Sequence, residues 1–179
     1  MNEKWPIGVF ASIDAGLGVK LEVARDLGVH TIHLHTPHAA SRTPQKAAEF
    51  NNRLAEFGIT TTCVFAGFEG ESYADIPTVK RTIGLMPEET REARTRELRE
   101  IADFARVLHV DVVGMHLGFV PHERSAADYG KMVKLTQGVC DYCKSNRQSL
   151  HLETGQEPVD VLIGFLDDVQ RDNLFVNFD

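Results

Sequence analysis

Ser149-Leu-His-Leu-Glu-Thr154 and, after an intervening helical run, Leu174-Phe-Val-Asn-Phe-Asp179 decide the fold. In both, apolar residues fill one parity: Leu150 with Leu152, and Val176 with Phe178. Polar residues close the other parity, His151 with Glu153 and Asn177 with Asp179. Side chains alternate across a strand, so each stretch reads as a strand with an apolar face toward covering helices and a carboxylate at its C-terminal end.

Four earlier runs rich in β-branched or aromatic residues, at 6–12, 31–37, 60–68 and 111–120, bring the strands to six. Between strands the spacing turns helical, as in Ala47, Phe50, Leu54 and Phe57 or Leu98, Ile101, Ala105 and Leu108. Strand then helix, repeated, predicts parallel pairing. Thr43-Pro44 and Met86-Pro87 place proline at a first helical position, Ser125 to Asp128 matches a capping box, and Gly28 and Gly58 follow helical runs as C-terminal glycines. Residues 88–100, dense in Glu and Arg, read as the solvated face of a long helix. Residues 69–86 form the one long irregular connection, on the face where a βα barrel builds its lids and sites.

Strands covered on both faces should be nearly continuous apolar runs, so the polar exceptions carry information. Parity groups His33 with His35, Gly114 with His116, His151 with Glu153 and Asn177 with Asp179, while Leu34, Val113, Met115 and Leu117 face the helices. Polar residues therefore converge at four strand ends. His33, His151 and His109 read as satisfied structural histidines, and His30, His38 and His122 as loop or helix-end residues. His35 and His116 share the strand-end position with Glu153 and Asp179, and a buried carboxylate there requires a hydrogen-bond partner, an Arg or a cation. Oxygen and imidazole groups on adjacent strands suit Mg²⁺, Mn²⁺, Co²⁺ or Zn²⁺.

The 179 residues, 42% hydrophobic, are read as one α/β domain over 1–179. A net charge of −7, with 26 Asp+Glu against 19 Lys+Arg, gives no basic stripe for nucleic acid. Three cysteines form no disulfide framework and fit a reducing cytoplasm; Cys140 and Cys143 have helical spacing and read as buried apolar residues. The start, Met-Asn-Glu-Lys-Trp-Pro, shows no export signal, and no run reaches membrane-spanning length.

His151-Leu-Glu-Thr-Gly-Gln-Glu157 followed by Asn173-Leu-Phe-Val-Asn-Phe-Asp179 resembles the two consecutive metal-carboxylate strands of the xylose isomerase-like TIM barrels, the sugar phosphate isomerase/epimerase family. Val113 to Pro121 is similar to the family's fourth strand, and Thr82 to Arg91 to a helix entry of its members. The resemblance implies a TIM barrel represented here by about six of eight βα units, the chain ending after the sixth strand. It implies metal ligation by Glu153 and Asp179, with a His and a second Glu from the last two strands outside this sequence. The implied reaction is isomerisation or epimerisation of a ketose or aldose through an enediolate, with Glu153 as the base and a hydride shift as the rival. His35 and His116 would bind sugar hydroxyls, and Glu157 would join them or cap the helix after Pro158.

Two other readings stand beside this one. An apurinic endonuclease-like metal hydrolase of the same superfamily would use strand-end histidines with the Glu and Asp, but the acidic charge balance opposes it. A non-catalytic incomplete barrel would expose parallel sheet edges and associate with a second copy.

Overall fold

The computed structural model describes residues 6–14 and 17–179; the stretch read for an export signal lies largely outside these. Six strands, β1 (Gly8–Ala11), β2 (Thr31–His35), β3 (Thr60–Ala66), β4 (Val112–Met115), β5 (Ser149–Glu153) and β6 (Leu174–Asn177), form one sheet in chain order. Every neighbouring pair is parallel. The connections carry α1 (Leu21–Asp26), α2 (Pro44–Phe57), α3 (Ile76–Thr82), α4 (Glu88–Val107), α5 (Tyr129–Ser145) and α6 (Val159–Val169). This is a partial TIM barrel, six of its parallel strands laid side by side with helices in the connections.

Register fixes which residues share a face. Phe10 pairs with His33, His35 with Phe65, Phe65 with Gly114, Gly114 with His151, and Glu153 with Asn177, so these side chains line the concave interior. Ile32, Leu34, Val64, Val113, Met115, Leu150 and Leu152 take the opposite parity and are buried against the helices. Each such burial is worth roughly 1.5–3 kcal/mol, so a one-residue slip of any strand would forfeit several at once.

The best-punctuated helix is α2: the Thr43 side chain accepts from the Lys46 N–H at 3.2 Å, Pro44 opens the first turn, and Gly58 closes it at φ 64°. Its stripe of Ala47, Phe50 and Leu54 is buried. Four expectations need correction. Pro87 is the N-cap of α4, not its first helical residue. The capping box from Ser125 does not form; α5 starts at Tyr129, and the Asp128 carboxylate pairs with Lys131 at 3.0 Å. Val176 and Phe178 do not face helices, because β6 is a sheet edge without a covering helix among the described residues, and Phe178 is 88% exposed. Residues 69–86 are not structureless, since they contain α3, whose N-cap Asp75 accepts from the Thr78 N–H at 2.8 Å.

Cys63, Cys140 and Cys143 are buried free thiols pushed up to about 12, chiefly by burial, so they behave as small apolar residues. No helix among the described residues is long and apolar enough to cross a membrane.

Candidate functional site

Glu153 ends β5, and Asp179 lies two residues beyond Asn177, the Glu153 partner on β6. Thr154 staples the two strand ends together. Its N–H donates to the Asn177 carbonyl at 3.0 Å, while its Oγ1 accepts from the Asp179 N–H at 3.0 Å and lies 3.2 Å from the Asp179 carbonyl. Burial, then the charges of Asp179 and Glu71, push the Glu153 carboxyl up to about 7. No hydrogen bond reaches that carboxylate among the described residues. A half-buried carboxylate with like-charged neighbours and no donor is stabilised as an anion when a cation joins it.

That donor chemistry fits a hard divalent ion, for which oxygen ligands are preferred. Among the described residues no group of three or more His, Cys, Asp or Glu side chains is arranged to hold a metal. Glu153 and Asp179 are the carboxylates that end these two neighbouring strands.

The hydrogen bonds of His35 and His116 give the two rings opposite neutral tautomers. His35 Nδ1 meets the Thr36 carbonyl at 3.1 Å, so it carries the hydrogen and leaves Nε2 as an acceptor. His116 Nδ1 accepts from the Gly118 N–H at 2.9 Å, so its hydrogen sits on Nε2, a donor. Burial lowers both imidazoles below the usual range, against smaller rises from the Thr36 carbonyl in His35 and from Glu157 in His116. The two rings thus offer one hydrogen-bond acceptor and one donor, the combination that hydroxyl groups require.

The Glu157 Oε1 accepts from the Val120 N–H at 2.9 Å and makes no cap on α6. It braces the loop that follows β4. His33 and His151 keep their structural reading: His33 stands edge-on to Phe10 with ring centroids 5.4 Å apart, and His151 Nε2 is 3.0 Å from the Ser149 hydroxyl.

Sequence reasoning missed the wall of this site. Glu71 is largely buried, and its two oxygens accept from the Phe68 N–H at 2.9 Å and the Gly84 N–H at 2.7 Å. Arg94, assigned above to a solvated face, is 5% exposed and donates to the carbonyls of Thr82 at 2.6 Å, Gly84 at 2.8 Å and Glu69 at 3.0 Å. Gly84, at φ 67°, packs so closely that an added Cβ would lie 2.2 Å from the Leu117 carbonyl oxygen, and the Leu85 N–H donates to that oxygen at 3.0 Å. The loop after β3 is in this way stitched to the loop that positions His116. The available signal was spacing, because Arg94 precedes Leu98 by one helical turn on the buried stripe of α4.

Two glycines leave room for the polar side chains. A Cβ on Gly67 would fall 2.6 Å from His35 Nε2, and one on Gly155 would fall 2.9 Å from Glu157 Oε2 and 3.0 Å from His116 Nε2. The atoms met are side-chain tips, so Gly155→Ala should cost little stability, on the order of 1 kcal/mol or less, while displacing His116 and Glu157. Thermal unfolding alongside the His116 imidazole resonances checks this; an unchanged His116 spectrum would contradict it.

The fold and these strand ends define a class: parallel βα barrels with an acidic site at the C-terminal edge of the sheet. The family model for the xylose isomerase-like TIM barrel matches residues 21–179, and the chain belongs to that family. It is 51% identical to a xylose isomerase domain protein from Planctomyces limnophilus, with a TM-score of 0.94 over 97% of this chain and 61% of that one. The fold is also that of a D-psicose 3-epimerase determined in the presence of D-fructose, 17% identical, TM-score 0.68, over 98% of this chain and 63% of that one. A xylose isomerase-like TIM barrel protein from Mycobacterium smegmatis in complex with magnesium shares it too, at 17% identity and TM-score 0.64, over 97% of this chain and 64% of that one. The chain thus spans about 61% of the length of the first of these structures. A search of curated proteins gave no match.

Proposed function

We propose that this chain carries the N-terminal part of a divalent-metal-dependent sugar isomerase or epimerase, acting on a ketose or aldose. The observation that carries the reading is the unpartnered, half-buried Glu153 beside Asp179 at adjacent strand ends, with His35 and His116 offering an acceptor and a donor. Glu153 and Asp179 would hold the ion, which when bound polarises the sugar carbonyl and neighbouring hydroxyl and favours the enediolate. Glu153 removes the proton from the carbon next to the carbonyl, acting as general base. His116 Nε2–H donates to a sugar oxygen and His35 Nε2 accepts from a sugar hydroxyl. The endonuclease alternative is disfavoured by 26 Asp+Glu against 19 Lys+Arg.

The test is a panel of ketoses and aldoses, free and phosphorylated, offered to the full-length gene product with added Mn²⁺ or Mg²⁺. Interconversion of one sugar pair that stops with chelator is expected; inertness toward the whole panel contradicts the assignment.

Metal binding carries its own pH signature. A divalent ion takes the carboxylate, and Glu153 is pushed up to about 7, so below that pH the ion must displace a proton. Mn²⁺ affinity should therefore rise with pH by up to about tenfold per unit below 7 and level off above it. Calorimetry over pH 5.5–8.5 reads this, and Glu153→Gln should flatten the profile. A flat wild-type profile would contradict the assignment of Glu153 as a ligand.

A further inference from the structure

Tyr73 belongs to no helix or strand, yet its position is fixed from both sides. Glu71 is bound by two backbone N–H groups, and the Ser72 N–H donates to the Thr82 hydroxyl at 3.1 Å. Tyr73 is the first residue after these ties, and its ring stands edge-on to His116 with centroids 6.4 Å apart and planes at 74°. It is 57% exposed, and its hydroxyl finds no hydrogen-bond partner among the described residues.

The carboxylates of Glu71 and Glu153 both act on the phenol and, after burial, hold its pKa up to about 12, so Tyr73 lies within reach of these two carboxylates as well as beside His116. A neutral phenol on a rigid support, with one ring face open and a hydroxyl to spare, has an apolar body and a polar tip. A sugar has the complementary surface, a C–H face bordered by hydroxyls. A phosphate group would meet the Glu71 carboxylate at this spot, so the part of the substrate that arrives here is uncharged.

We propose that Tyr73 is a substrate-contacting, specificity-determining residue, packing its ring on the C–H face of a neutral sugar and hydrogen-bonding one of its hydroxyls. The inference rests on the sugar isomerase or epimerase reading above. Because α3 and the Glu71 and Arg94 ties hold the segment without help from its ring, Tyr73 acts on binding, not on folding.

The experiment uses the full-length gene product with Mn²⁺ and the neutral ketose it converts fastest among D-fructose, D-tagatose, D-psicose and L-ribulose. Tyr73→Ala should raise KM about tenfold with kcat within about threefold of wild type and an unchanged melting temperature. Tyr73→Phe, which keeps the ring and loses only the hydroxyl, should raise KM about threefold to fivefold. If the wild type converts a ketose and both variants keep its KM within twofold, the inference is overturned and the functional reading stands. If the wild type converts none of the four but does convert a phosphorylated sugar, the inference is overturned and the functional reading stands; if it converts nothing in the wider panel of ketoses and aldoses, free and phosphorylated, the functional reading fails and takes the inference with it.

Discussion

Glu153→Gln is expected to lower kcat of the full-length protein by about a thousandfold or more, while sugar binding partly survives. General-base catalysis is ordinarily worth about 10²–10⁴ in rate, and this substitution also removes one of two carboxylates proposed for the metal. The amide keeps the size of the side chain and cannot accept the proton. It also relieves the unfavourable meeting of Glu153 with Asp179 and Glu71, so the fold should be unharmed or slightly stabilised. Steady-state kinetics, calorimetric sugar titration and melting curves separate these effects. Full activity in Glu153→Gln would remove the residue from the chemistry.

Arg94→Leu should be the most damaging single change to stability, at about 3–5 kcal/mol, the range for breaking a buried charged network by removing one member. The guanidinium satisfies three carbonyls of the loop after β3, stands over the Phe68 ring at 5.4 Å, and counters the charge of buried Glu71. Leu fills part of the volume and satisfies none of these groups. Because the same loop is tied to Leu117 and thereby to His116, the variant should also loosen the sugar site. Lysine should recover only a fraction, having no planar fork to serve three carbonyls at once. Urea unfolding gives the number; a loss below about 1 kcal/mol would mean that the loop is held by its backbone alone.

What was legible in the sequence followed from periodicity. The parity of Leu150 with Leu152 against His151 with Glu153 survives intact in the register of β4, β5 and β6, because a parallel barrel gives each parity a single environment. The Thr43-Pro44 start and Gly58 stop of α2 were equally readable, since each residue performs a local backbone task. Local signals failed where a distant partner decides. Arg94 looks like its neighbours in a charged run; spacing puts it on the buried stripe of α4, but what it binds is decided by the segment after β3. Glu71 has no pattern around it, and its burial depends on Gly84, thirteen residues on. Ser125 to Asp128 has capping-box spacing, but the helix begins only at Tyr129, a local signal that the chain does not use. His35 and His116 could be grouped by parity; their opposite tautomers come from Thr36 and Gly118, backbone contacts that spacing does not encode.

The central claim is that these strand ends take a proton from carbon next to a sugar carbonyl. The most direct test is proton NMR of the full-length protein with Mn²⁺ and a ketose panel in D₂O. The mechanism here predicts that conversion of the active sugar is accompanied by loss of one C–H signal, at the carbon adjacent to the carbonyl, as solvent deuterium replaces the proton that Glu153 removes. Conversion that leaves every C–H signal intact would indicate a hydride shift and contradict the role given to Glu153. No conversion and no exchange with any sugar would contradict the account as a whole.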